Sequence, residues 1–324
     1  MHTYTLPGTD LRVSRIAYGC MNIGGTWDDA PLSTDVQETA SRAIQVALET
    51  GITLFDHADI YTRGKSEQVF GNVLKASPGL REQMVLQSKC GIRFAGEPQP
   101  GDPQRYDFSY EHIIASVEGS LRRLQTDYLD ILLLHRPDPL AEPEEVARAF
   151  DALHSVGKVR YFGVSNHTAR QIELLQKSLR QGLLINQVEL SLLHPYLIDE
   201  GIVANIPGVS SALATGTLDY CRNHKILIQA WAPLAGGKLF KPNVEADTAL
   251  GKTAQLVSQL AEEKQTTSEA IVLAWLLRHP AGIQPIVGST KPERIAACAL
   301  ADEVALTREE WYAMFTAARG ERVP

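Results

Sequence analysis

The sequence predicts one (β/α)8 barrel over residues 1–324, fitted with an N-terminal β-hairpin and an extra C-terminal helix. Two observations predict it. Eight short β-rich apolar runs alternate with longer stretches of helical period, and they recur roughly every 30–40 residues, as β-α units do. A third observation sets aside the rival doubly wound sheet: no G-x-G-x-x-G opens a helix after any run. The runs are Ile16–Gly19, Thr53–Asp56, Met84–Lys89, Leu129–His135, Arg160–Ser165, Leu184–Glu189, Ile226–Trp231 and Gly282–Val287. They are continuously apolar, as strands covered on both faces should be.

The elements follow in order. Tyr4–Val13 reads as strand, turn, strand around Pro7-Gly8, a hairpin suited to plug the bottom of a barrel. Helices are expected over Thr34–Thr50, Ser66–Ala76, Tyr110–Leu124, Pro143–Val156, Thr168–Arg180, Ser210–Asn223, Gly251–Glu263 with Ser268–Arg278, and Pro292–Leu300. Thr34 or Asp35 is the expected cap of the first, and Gly51 stands where a C-terminal glycine belongs. Pro143 and Pro292 fit first turns, where a missing N–H costs nothing, and Gly157 ends the fourth helix. A barrel needs about 250 residues. The surplus goes to the hairpin, a long loop Gly91–Phe108 and a final helix Arg308–Ala318.

Composition narrows the function classes. Hydrophobic residues at 44% and charged residues at 21% suit a globular chain with a full core. A net charge of −7 argues against nucleic acid as a partner, because neutralising phosphates needs a basic surface. It leaves room for one cationic pocket. Cysteines 20, 90, 221 and 298 form no C-x-x-C, so free thiols in a reducing compartment are expected. Met1–Arg15 lacks an apolar signal-peptide segment, and the longest apolar runs are too short to span a bilayer. The expected setting is cytoplasmic, away from membranes, as a monomer or weak homo-oligomer.

In such barrels the active site lies at the C-terminal strand ends. Those ends supply Asp56 with His57, Asp59 and Tyr61 close behind, then Lys89, His135, Ser165, Asn166, Gln187 and Trp231. A phenol titrates near ~10, and an adjacent ammonium lowers that value. A carboxylate holds the ammonium in place, and an imidazole orients a carbonyl oxygen. Asp56, Tyr61, Lys89 and His135 therefore form an acid–base set for carbonyl reduction that supplies no hydride and so implies a cofactor. Other readings stay open. Lys89 could form a Schiff base, and His57, Asp59 and His135 could ligate the metal of a barrel hydrolase. Trp27 and Phe94, in loops above the strand ends, are candidate pocket walls.

Five segments in order give the chain a resemblance to the aldo-keto reductases. Phe55-Asp56-His57-Ala58-Asp59-Ile60-Tyr61 resembles their F-D-[ST]-A-x-x-Y, and Gly64–Gly71 the helix that follows it. Leu129–Pro137 resembles L-D-x-x-x-x-H-x-P, and Gly157–Asn166 resembles G-K-[IV]-R-x-x-G-V-S-N. Pro285–Ile295 is the fifth. The resemblance implies that Tyr61 is the general acid, tuned by Lys89 and Asp56, with His135 orienting the substrate, a small-molecule carbonyl compound. It implies that Ser165, Asn166 and Gln187 hold a nicotinamide carboxamide and that Trp231, where the family usually has tyrosine, stacks on the ring. Gly19 and Met21 join the expected cofactor set. The loop Ala232-Pro233-Leu234-Ala235-Gly236-Gly237-Lys238 would wrap the pyrophosphate, its glycines allowing close backbone approach. Gly288, Ser289, Thr290 and Lys291 lead into a helix N-terminus suited to a phosphate. Lys291 and Arg294 would pair with a 2′-phosphate, which favours NADPH. Gly288 stands where the family often has lysine, and Ala297 and Cys298 replace its usual polar pair. A nucleotide-sensing partner subunit with weak reductase activity is the alternative function.

Overall fold

A computed structural model describes residues 1–203, 215–241 and 245–324. Strands β1 (Thr3–Thr5) and β2 (Arg12–Ser14) pair antiparallel as the expected hairpin. The barrel begins with β3 (Ala17–Gly19), β4 (Leu54–Asp56) and β5 (Val85–Cys90). After a small antiparallel ribbon of β6 (Ile92–Arg93) and β7 (Arg105–Tyr106) come β8 (Leu129–Leu134), β9 (Val159–Ser165), β10 (Leu183–Glu189), β11 (Leu227–Trp231) and β12 (Gln284–Val287). The eight barrel strands are parallel and follow chain order around the wall, and β12 closes on β3. The doubly wound alternative is thereby excluded.

Helices α1 (Thr34–Glu49), α2 (Lys65–Ala76), α3 (Tyr110–Leu124), α4 (Pro143–Ser155) and α5 (Ala169–Gln176) fill the first crossovers. They are followed by α6 (Tyr196–Val203), α7 (Thr217–Asn223), α8 (Ala249–Glu263), α9 (Ser268–Leu277), α10 (Pro292–Ala299) and α11 (Arg308–Arg319). Pro143 and Pro292 open their helices as expected. The cap of α1 is neither Thr34 nor Asp35 but Ser33, one residue earlier, whose extended backbone lets its hydroxyl accept from the Val36 N–H. The helix expected over Ser210–Asn223 is seen from Thr217 onward, and residues 210–214 lie outside the described residues. The loop Gly91–Phe108 is not featureless: it carries the β6–β7 ribbon, pinned by the 2.5 Å Arg93–Asp107 ion pair.

The core has two parts. The larger lies between the barrel wall and the helices, and includes Phe55, Phe70, Phe150 and Trp275. Trp275 stacks on Trp311 at 4.9 Å, and each indole N–H donates to the other residue's carbonyl, which fastens α11 to the body. The smaller part fills the barrel bottom. There Leu6, Leu11 and Val13 of the hairpin pack on Leu54, Ile131, Ile185 and Leu227. The hairpin is thus a plug at the end of the barrel opposite its C-terminal mouth. Among the described residues no helix is long and apolar enough to cross a membrane.

Candidate active site

The β4–β5 ladder continues past the strands. His57 N–H donates to the Gln87 carbonyl at 2.8 Å and Asp59 N–H to the Lys89 carbonyl at 3.0 Å. A tight turn follows, with Thr62 and Arg63 in the left-handed region at φ 47° and 58°. Tyr61 opens this turn, with its phenol at the barrel mouth. Period-2 alternation puts Val85, Gln87 and Lys89 on one face of β5, so Lys89 points into the barrel from below the phenol.

Lys89 Nζ donates to Asp56 Oδ2 at 2.7 Å, to the His57 carbonyl at 2.9 Å and to Tyr61 Oη at 2.9 Å. These three acceptors use all three ammonium protons. Burial works to lower the Lys89 pKa, but Asp56 and then Tyr61 outweigh it and hold the group above its ordinary value. Burial raises the Tyr61 phenol, and Lys89 acts against that rise. The Tyr61 and His135 rings meet edge to face at 5.9 Å. Burial first, then Lys89 and Arg136, press the His135 imidazole well below its ordinary value, so it is neutral at pH 7. A neutral imidazole and a phenol facing one space can both donate to a single oxygen.

The mouth opens into a cavity of about 690 Å³. Tyr61, His135, Asp56, Ser165, Asn166, Gln187 and Trp231 line it, as do Gly19 and Met21. Its far end is formed by Ala232, Pro233, Leu234, Gly236 and Gly237 on one side and by Gly288, Ser289, Thr290, Lys291 and Arg294 on the other. Asn166 holds a left-handed backbone, φ 61°, and its side chain donates to the His135 carbonyl at 3.1 Å and to Ser165 Oγ at 2.8 Å. Trp231 Nε1 donates to Asn166 Oδ1 at 3.0 Å, which fixes the indole plane. Gly236 has φ 67° and nothing within 4 Å of where a Cβ would stand, so that backbone is open to close approach by a ligand. Among the described residues the only carboxylate on the lining is Asp56, already paired to Lys89, whereas Arg136, Lys291 and Arg294 contribute three cations. An acidic protein therefore carries a cationic cavity.

Some expected residues lie elsewhere. Trp27 is 47% exposed and does not line the cavity. Its loop is drawn aside by Lys65, whose ammonium holds Asp28 at 3.0 Å and the Ala30 carbonyl at 3.2 Å. Phe94 is also off the lining, held under the Arg63 guanidinium at 4.9 Å. Ala235 and Lys238 sit on the glycine loop without reaching the cavity, and Cys298 turns with Ile295 into the core-facing side of α10. Lys89 is buried beneath the cavity, behind Tyr61. The His57 ring packs edge-on against Phe70 at 4.5 Å, and burial, with Lys89 second, lowers its pKa to about 3. Among the described residues no three His, Cys, Asp or Glu side chains gather as metal ligands, so His57, Asp59 and His135 do not converge. Four lining residues were missed: the apolar Ile286 and Val287, and the polar Arg136 and Asn22. Arg136, with its guanidinium 5.6 Å from the Trp231 ring, directly follows His135 at a strand end and could have been found by that position. Asn22, donating to the Gly288 carbonyl at 2.9 Å, carried no such signal.

Comparison with known proteins agrees with this geometry. The model of the "Aldo/keto reductase family" matches residues 15–318. The chain is 42% identical over 317 residues to "Uncharacterized oxidoreductase YcsN" of Bacillus subtilis (strain 168), covering 97% of each chain. It is 38% identical to a "6-dehydroglucose reductase" of Agrobacterium fabrum (strain C58 / ATCC 33970), again with 97% of each covered. Among solved structures, the glycerol dehydrogenase AKR11B4 from Gluconobacter oxydans superposes with a TM-score of 0.80 at 26% identity, covering 98% of this chain and 95% of that one. The chain belongs to the aldo/keto reductase family of oxidoreductases.

Proposed function

We propose that the protein reduces an aldehyde or ketone to the alcohol with NADPH, taking the proton from Tyr61. The observation that carries this reading is the Lys89 ammonium, bonded at once to Asp56 and to the Tyr61 phenol beneath a cavity of about 690 Å³. NADPH, when bound, supplies the hydride. Tyr61 Oη and the neutral His135 imidazole both donate to the substrate carbonyl oxygen, and Tyr61 releases its proton as negative charge builds there. Lys89 stabilises the phenolate left behind, and Asp56 keeps that ammonium in position. Ser165, Asn166 and Gln187 hold the carboxamide, and Trp231 flanks the ring. Gly236 and Gly237 let the backbone approach the pyrophosphate. Lys291 and Arg294 are exposed and, among the described residues, have no carboxylate within 4 Å, which suits them to the 2′-phosphate.

The relative named 6-dehydroglucose reductase suggests an oxygen-rich aldehyde as substrate. Arg136 beside His135 offers a planar fork of donors for such oxygens. The test is NADPH oxidation with 6-dehydroglucose, methylglyoxal and 4-nitrobenzaldehyde, run beside Tyr61→Phe. The expected result is turnover that falls about 10²–10⁴-fold in the variant while NADPH affinity holds. Tight NADPH binding without turnover on any carbonyl would instead favour the nucleotide-sensing subunit.

A further inference from the structure

Three glutamines that do not line the cavity form a polar column through the buried centre of the barrel. Gln284 Nε2 donates to the Ser14 carbonyl of the plug hairpin at 2.7 Å, and Gln229 Nε2 donates to Gln284 Oε1 at 2.8 Å. Gln229 Oε1 then accepts from Gln87 Nε2 at 2.9 Å and from Gln187 Nε2 at 3.0 Å. The same two nitrogens donate to Asp56 Oδ1, at 2.6 and 3.0 Å. Every member is buried.

The direction of the column follows from its ends. A backbone carbonyl only accepts, so Gln284 must turn its nitrogen toward Ser14 and its oxygen toward Gln229. Gln229 must then present its nitrogen to Gln284 and its oxygen upward. That oxygen and the Asp56 carboxylate are both acceptors, so Gln87 and Gln187 lie between them with nitrogen inward and both N–H groups spent. Two consequences reach the mouth. Asp56 Oδ1 is held by two amide donors, leaving Oδ2 for Lys89. Gln187 has no N–H left and can offer the cavity only its carbonyl oxygen, which suits the NH2 side of a carboxamide. Gln87 Oε1 is left buried without a partner. Flipping that amide would set oxygen against the carboxylate, so the orphan acceptor is the cost of the column's direction.

We infer that Gln87, Gln229 and Gln284 are positioning residues, a directional amide column anchored on the N-terminal hairpin that sets the orientation of Asp56 and the polarity of the Gln187 amide. The inference rests on the proposed roles of Asp56 and Gln187. The test is Gln229→Leu, read by NADPH affinity, by single-turnover hydride transfer and by a crystal structure of the variant. The expected result is a folded protein with transfer slowed about 100-fold, as small misplacements in active sites can produce, weaker NADPH binding, and Gln187 in a new rotamer. Gln229→Glu supplies a signature that packing alone would not. A protonated carboxyl can accept from Gln87 and Gln187 and donate to Gln284, but an ionised one cannot donate. Burial and the nearby Asp56 favour the protonated form, whereas Lys89 opposes it. NADPH affinity of this variant should therefore match wild type at low pH and fall as pH rises. If Gln229→Leu does not fold, Gln284→Met, one amide further from Asp56, carries the same expectations. A folded variant with unchanged transfer and affinity, or a crystal structure with Gln187 and Asp56 unmoved, would overturn the inference. A wild-type protein without turnover would defeat the proposed function instead, and the crystal structure would still decide the column.

Discussion

Asp59 sits two residues before the phenol and away from the cavity, and its charge is costly. Its Oδ1 is sealed from solvent without a partner. Burial first and Glu67 second push its carboxyl up to about 7, against the Arg123 guanidinium and a hydrogen bond from Ser116. The folded protein thus binds this proton more tightly than the unfolded chain, where the ordinary value is 3.8. The Asp59 contribution is intact below pH 3.8, and stability is lost as pH rises from there through about 7. At 1.36 kcal/mol per tenfold, the full loss above pH 7 is about 4 kcal/mol, an upper bound because charged neighbours rearrange. Asp59→Asn keeps the shape and removes the charge. Thermal unfolding followed by circular dichroism should show the variant near wild type at pH 4.5. At pH 8 it should be more stable by up to about 8 °C, taking about 2 °C per kcal/mol for a chain of this size. The buried histidines work in the opposite sense. Burial lowers His57 to about 3 and His167 to about 4, so their contribution is full above the ordinary 6.5 and is lost as pH falls. The wild-type curve mixes both effects, and only the difference between variant and wild type isolates Asp59. An Asn variant that is less stable at pH 8, or that keeps the wild-type pH slope, would refute the reasoning.

Other perturbations test other parts of the chain. Lys89→Met should abolish measurable reduction and cost about 3–5 kcal/mol in denaturant unfolding, because it strands buried Asp56 without its cation; a variant as stable as wild type would show that the pair does not matter to the fold. Arg294→Ala should weaken NADPH binding by tenfold or more, about 1.4 kcal/mol, and leave NADH binding nearly unchanged in titration calorimetry. Equal weakening of both would remove the 2′-phosphate assignment. Gly163→Ala should cost about 1–3 kcal/mol in the same unfolding assay, since a Cβ there would lie 2.6 Å from Leu133 Cδ2 and 2.8 Å from the Ile185 carbonyl. Leu6→Ala should cost about 2–5 kcal/mol by opening the plug, and a loss below 1 kcal/mol would mean that the hairpin is not part of the core.

The barrel was legible because each of its eight units repeats the same switch of period, from continuous apolar run to helical spacing. The candidate site was legible because barrel chemistry is confined to strand ends, so Asp56, Lys89, His135 and Gln187, which the fold brings together, could be named from position and type. What the sequence hid was set by tertiary contacts. Neither Trp27 nor Phe94 reveals that Lys65 and Arg63 draw their loops off the mouth. The two-residue strands β6 and β7 are too short for any periodicity and depend on the Arg93–Asp107 pair. Ser33, Thr34 and Asp35 are all competent caps, and only the extended backbone of Ser33 selects among them.

One regularity joins the fold to the chemistry. Along β5 the inward residues are Val85, Gln87 and Lys89; along β11 they are Leu227, Gln229 and Trp231; along β10 they are Ile185 and Gln187. Neighbouring strands hold this in register, with Ile185 opposite Leu227, Gln187 opposite Gln229 and Asp56 opposite Gln87. The interior is therefore stratified: an apolar floor against the hairpin, an amide layer level with Asp56, and Lys89 and Trp231 above it. Each layer is two residues, about 7 Å, deep. The middle layer answers a physical problem. A carboxylate and an ammonium set directly on aliphatic side chains would be desolvated with too few donors and acceptors. Amides can receive the carboxylate and end on a backbone carbonyl below without adding charge. The apolar-to-amide-to-ionic step of two residues thus brings this buried ion pair to the barrel mouth, and it lets Asp56 be fully engaged while lining the cavity.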